Sequence, residues 1–139
     1  DHRVGPAVSR QEYRGILAGK ARGVWNGKAI VHEGADGTDA EQSNHNLLLS
    51  QNAEINAKPE LEIYPDDVKC SHGTTVGQLD ETALFYLRTR GLDRSEARQM
   101  LTRAFALAIV GRTPIAQNEH YLLEQIDARL KALLEETIA

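Results

Sequence analysis

Val68-Lys69-Cys70-Ser71-His72-Gly73-Thr74-Thr75-Val76-Gly77-Gln78-Leu79-Asp80-Glu81-Thr82-Ala83-Leu84-Phe85-Tyr86-Leu87 is the stretch in which this chain changes its period. Up to Gly77 the residues alternate as a strand does, and Val68, Cys70 and His72 fall on one face. From Asp80 onward a carboxylate suited to an N-cap precedes apolar residues at helical spacing, and Gly91 stops the run. A β half therefore meets an α half near Gly77, and the expected class is α+β.

Working back from that junction, short strand-like runs alternate with turn residues. The candidate strands are 14–18, 23–31, 46–50, 61–64 and 68–72. Asn26-Gly27, Gly34 to Gly37, Asn52 and Lys58-Pro59 read as the breaks. No helical period separates the strands, so a doubly wound fold with crossover helices is excluded. A sandwich, a barrel and a parallel β-helix remain open. Asn44, Asn46 and Asn52 suit stacked asparagine ladders, but no clean internal repeat decides among the three.

Working forward, Glu81 to Arg90 forms the first expected helix. Asp93 with Glu96 resembles a capping box for the second, with Ala97, Met100, Leu101, Ala104, Phe105, Ala108 and Ile109 as its apolar stripe. Ala106, Leu107 and Val110 lie off that stripe, so the end of this helix is apolar nearly all round and calls for burial on two sides or against a partner. A third helix is expected after Asn118, with Leu122, Leu123, Ile126, Leu130, Leu133 and Leu134 on one face. The expected units are 1–77 and 78–139.

The 139 residues are 41% hydrophobic and 26% charged, an ordinary soluble composition. A net charge of −4 offers no basic face for nucleic acid. Arg88, Arg90, Arg94 and Arg98 alternate with Asp80, Glu81, Asp93 and Glu96, which reads as a solvated helical face. Ala104 to Val110 is the longest apolar run, far short of the ~20 residues of a membrane span. The single Cys70 excludes an internal disulfide and favours a cytoplasmic setting. Asp1 rather than Met opens the chain, and a piece of a longer protein is expected.

Cys70 and His72 carry the obvious chemistry. A thiolate and an imidazole on one strand face can share a metal or an iron–sulfur fragment, but an iron–sulfur cluster usually takes four ligands and this chain has one cysteine. Such a site borrows ligands from another chain. The competing reading puts Val68, Cys70 and His72 together in a core, with Cys70 as a small hydrophobe. A Cys–His hydrolase would need a base within hydrogen-bond reach of Cys70, and no nucleophile elbow or oxyanion turn accompanies it. Glu60 and Glu62 share a solvent face opposite Leu61 and Ile63. His2, His32, His45 and His120 show no metal spacing, and no phosphate-binding loop is present.

The segment Leu61 to Gly73, with Thr74-Thr75-Val76-Gly77, Phe85 to Gly91, Arg22 to Gly27 and Asn44 to Ser50, resembles the SufB/SufD family of iron–sulfur cluster assembly scaffolds. The motifs occur in the family's order, and Lys69-Cys70-Ser71-His72-Gly73 is similar to the SufD branch. The resemblance implies the end of a right-handed parallel β-helix followed by a small C-terminal helical domain of about three helices. It implies pairing with SufB through the β-helix, or with a second copy, and docking of the SufC ATPase through the helices. His72, with Cys70 beside it, then matches an interface position for iron or a nascent cluster shared with a partner chain. Phe105, Leu107, Ile109 and Val110 are the expected SufC-docking residues. A scaffold rather than an enzyme is implied, in cytoplasm or plastid stroma, holding no stable cofactor of its own. The alternative is a purely structural adaptor.

Overall fold

The computed structural model describes residues 1–112 and 119–138, with side chains described as far as residue 134. Five strands come first: β1 (Val8–Leu17), β2 (Arg22–Val31), β3 (Asp39–Leu48), β4 (Glu54–Ile63) and β5 (Lys69–Gly77). Three helices follow: α1 (Glu81–Thr89), α2 (Arg94–Leu107) and α3 (Glu119–Ile138), with a 3-10 turn at Val110–Arg112. The chain is α+β. It divides into two compact units, one of Asp1–Gly15, Gly23–Asn46 and Ile55–Val76, the other of Ile16–Arg22, Leu47–Glu54 and Gly77–Ala139.

Odd-numbered strands pair with one another in the order β1-β3-β5, and β2 pairs with β4 in a second sheet. The Asp39 amide donates to the Ala7 carbonyl and the Leu49 amide to the Leu17 carbonyl, so both ends of β1 and β3 keep one offset. Only parallel strands do that. The Glu54–Ala21 and Tyr64–Val31 bonds show the same for β2 and β4. Side chains in contact across β1, β3 and β5 sit 29 to 31 positions apart in sequence. Each parallel return thus uses a strand of the other sheet as its crossover. An antiparallel sandwich is excluded, and the connectivity is compatible with a β-helix-like arrangement.

The strands are longer than the apolar runs suggest. Asn26-Gly27 and Lys58-Pro59, expected as breaks, lie inside β2 and β4. The strand expected at 46–50 is instead Asp39–Leu48, whose buried positions include Gln42, Asn44 and Asn46 at 2%, 2% and 3% exposure. A polar interior hides this strand from a hydrophobic pattern. The backbone is crowded at Gly27. A Cβ on Gly27 would stand 2.5 Å from the tip of Trp25 and 2.7 Å from Gln42 Nε2, so the two sheets meet through its missing side chain.

The helical unit follows its local signals closely. Asp80 caps α1 by accepting from the Thr82 amide at 2.9 Å. Asp93 and Glu96 form the expected capping box, each side chain accepting from the other's amide at 2.8 Å. Leu47, Leu49 and Leu134 make its core, with Ile16, Ala18, Leu79, Phe105 and Leu133 against them. Along α3, Leu122, Leu123, Ile126, Leu130, Leu133 and Leu134 are all at least partly buried, as their spacing predicts.

In α2 the buried line is rotated from the expected stripe. Thr102, Ala106 and the following Val110 are buried, while Met100, Ala104 and Ala108 face outward. The cause is that α2 packs against both α1 and α3, which selects small side chains at its tightest contacts.

Candidate functional site

β5 is one of the two edge strands of its sheet and, among the described strands, pairs with β3. Of its nine residues only Cys70 is even partly buried, and His72 is exposed. Thr74 donates its hydroxyl to Asn44 Oδ1, 3.3 Å away, which puts Thr74 on the inward face of the sheet. By alternation Cys70 and His72 share that face with Thr74. The structure therefore brings the two together on one face, and it leaves His72 out of any core.

β3 holds β5 in place with three consecutive residues. His45 Nδ1 lies 2.9 Å from the Thr75 hydroxyl on the outer face. Asn46 Nδ2 donates to the Thr75 carbonyl at 3.2 Å and also to Asn44 Oδ1. β5 has two glycines and no buried apolar anchor, so these bonds and the backbone ladder fix the strand.

The expected alternation at the end of β4 is not kept: Glu60 and Glu62 are half-buried, and Ile63, expected on the core face, is 40% exposed. Lys28 hydrogen-bonds Glu62 and holds its carboxyl below the usual range, with the Tyr64 hydroxyl adding to the effect. Lys58 does the same to Glu60. His32 contacts Asp1 Oδ1 at 2.6 Å and stacks on Tyr64, His2 reaches Ser9, and His120 pairs with Glu124. Among the described residues no three of His, Cys, Asp or Glu gather in a way that could hold a metal ion. The Arg94 guanidinium bridges to Glu81 and Arg90 lies over Tyr86, as a solvated face requires.

Of the expected docking residues, Phe105 packs on the Leu47–Leu49–Leu134 core and Val110 is only 6% exposed. Leu107 and Ile109 are partly exposed. Phe85 and Tyr86 of α1 and Met100 of α2 present more surface, at 66%, 55% and 49%. Two cavities also belong to this unit: about 150 Å³ beside Leu49, Leu84 and Arg98, and about 370 Å³ between α2 and α3, over Leu130 and Leu134. The Arg103–Asp127 pair lines the second and lowers the Asp127 pKa by direct hydrogen bonding.

With this geometry in view, a family model described as "SUF system FeS cluster assembly, SufBD core domain" matches residues 1–105. The chain belongs to the SufBD core family. The iron–sulfur cluster assembly protein SufD of Escherichia coli is 43% identical over 130 residues, covering 94% of this chain and 30% of that protein. A SufBD family protein of Synechocystis is also 43% identical, over 122 residues, covering 88% of this chain and 27% of its own length. The SufD of Bacillus subtilis is 32% identical over 117 residues, covering 84% and 27%. The chain thus spans about a quarter to a third of the length of the relatives it matches. These matches make SufD of the SUF system the supported assignment within the SufBD family.

Sequence reasoning missed Gln42. A buried glutamine gives no chemical signal in a sequence, and its neighbours in space lie some thirty positions away.

Proposed function

We propose that this chain is the C-terminal part of a SUF scaffold subunit, in which the strands end a right-handed parallel β-helix and His72 contributes to a shared site for a nascent iron–sulfur cluster. The supporting observation is the exposed His72 on an edge strand, with Cys70 on the same face. Two ligands on an open strand suit a site completed by another chain. The cluster is cargo here, and the subunit itself is no enzyme. SufB pairs through the β-helix, and SufC docks through the helical unit. Leu107 and Ile109 stand at that docking surface, with Phe105 and Val110 supporting them from behind. A cytoplasmic or plastid setting goes with this assignment, and among the described residues no helix is long and apolar enough to cross a membrane.

The test is His72→Ala in the full-length protein, reconstituted with SufB and SufC. Loss of cluster assembly with the complex intact is expected. Full assembly by the variant would refute the reading and leave a structural adaptor. Calorimetric titration of SufC into the same protein tests docking, and absence of binding by a folded sample would remove that part.

A further inference from the structure

Gln42 lies at the centre of β3, 2% exposed, and its Oε1 has no hydrogen-bond partner. Its Nε2 is used, donating to Gln11 Oε1 at 3.0 Å. Gln11 is on β1, which flanks β3 on one side, while β5 flanks it on the other. The two ends of an amide point apart, so an Nε2 committed to β1 turns Oε1 toward β5. The Thr74–Asn44 and Thr75–His45 contacts fix the register between these strands. Counting back two positions on each strand from Asn44 and Thr74 sets His72 beside Gln42 on the same inward face. Neighbouring strands run about 4.8 Å apart, within reach of one imidazole rotation.

We propose that Gln42 is the positioning residue of His72, its Oε1 accepting the imidazole N–H. An acceptor with no hydrogens can take only a donor, so the bond fixes one tautomer. The lone pair of the other ring nitrogen is then aimed away from β3, on the face that carries Cys70. Histidines that bind metals are held in this way by a carbonyl or carboxylate behind the ring. Gly27 belongs to the same device, because its missing side chain makes room for the Gln42 amide. The inference rests on the proposed role of His72, and Asn44, His45 and Asn46 assist by holding β5 in register.

The experiment uses full-length protein with 15N-labelled histidine, reading the His72 ring by long-range 1H–15N correlation, with His72→Ala for assignment. A single tautomer is expected in the native protein, and Gln42→Met should give the mixture of a free imidazole. Gln42→Glu keeps an acceptor oxygen and should keep the single tautomer. In the complex with SufB and SufC, Gln42→Met should weaken iron loading by about 10- to 100-fold, with Gln42→Glu rescuing it. A tautomer mixture in the native protein overturns the proposal even if Gln42→Met fails to fold, as does an unchanged ring in that variant. Full cluster assembly by His72→Ala alongside a single native tautomer would refute the functional role of His72 while supporting its orientation by Gln42.

Discussion

The same substitution at two strand glycines should have opposite signs. At Gly27 an added methyl meets Trp25 at 2.5 and 2.6 Å and Gln42 Nε2 at 2.7 Å, all well inside van der Waals contact. Neither neighbour yields freely: Trp25 packs on Tyr13 with ring centroids 5.3 Å apart, and Gln42 is tied to Gln11. Overpacking of this kind costs about 1–3 kcal/mol. The restricted unfolded chain returns about 0.4–1 kcal/mol, so Gly27→Ala should lose about 1–2 kcal/mol net. Gly73 has open space where its Cβ would stand and no positive φ. Gly73→Ala should therefore gain about 0.4–1 kcal/mol. Urea unfolding of both variants, followed by circular dichroism, reads the two midpoints on either side of the native value. A Gly27→Ala midpoint at or above the native one would refute the close approach of the two sheets.

Three further outcomes follow from the helical unit. Thr102 is fully buried with an unpartnered hydroxyl, so Thr102→Val should be neutral or stabilising by about 1 kcal/mol, seen as an unchanged or raised melting temperature. Leu134→Ala opens the core beside Leu47 and Leu49 and should cost about 2–5 kcal/mol, whereas Met100→Ala on the exposed face should stay within about 0.5 kcal/mol in the same melt. Asp127 has its folded pKa lowered by Arg103, so its contribution is present above the ordinary carboxylate value and lost as pH falls toward the lowered one. Asp127→Asn should flatten that acid limb of stability, with little effect on its slope near neutral pH.

The helices were legible because their signals are local: Asp80, the Asp93–Glu96 box and the leucine spacing of α3 each act within a turn or two. The α2 face was not, because its burial is set by two neighbouring helices, which place Thr102 inside and Met100 outside. The strands were half legible. Their alternation showed that Cys70 and His72 share a face, and Asn44 and Asn46 were legible as inward positions, yet the first half of β3 was not, because the buried Gln42 gives no apolar signal. The repeat escaped for a related reason. The offset that stacks His32 on Tyr64 sets Trp25 beside Ala57 and Gly27 beside Pro59, so large and small side chains fit each other across the repeat instead of recurring.

The parallel pairing at one offset also dictates what kinds of length change this chain can survive. A single residue inserted within β3 would reverse every position after it, sending Asn44 and Asn46 to solvent and drawing Ser43 and His45 inward. The corners carry no such phase: Gly19, Gly34 and Gly37 adopt positive φ between strands, and a residue added there leaves both neighbours in step. Insertions and deletions among relatives should accordingly collect at those corners, or come as whole returns of the chain.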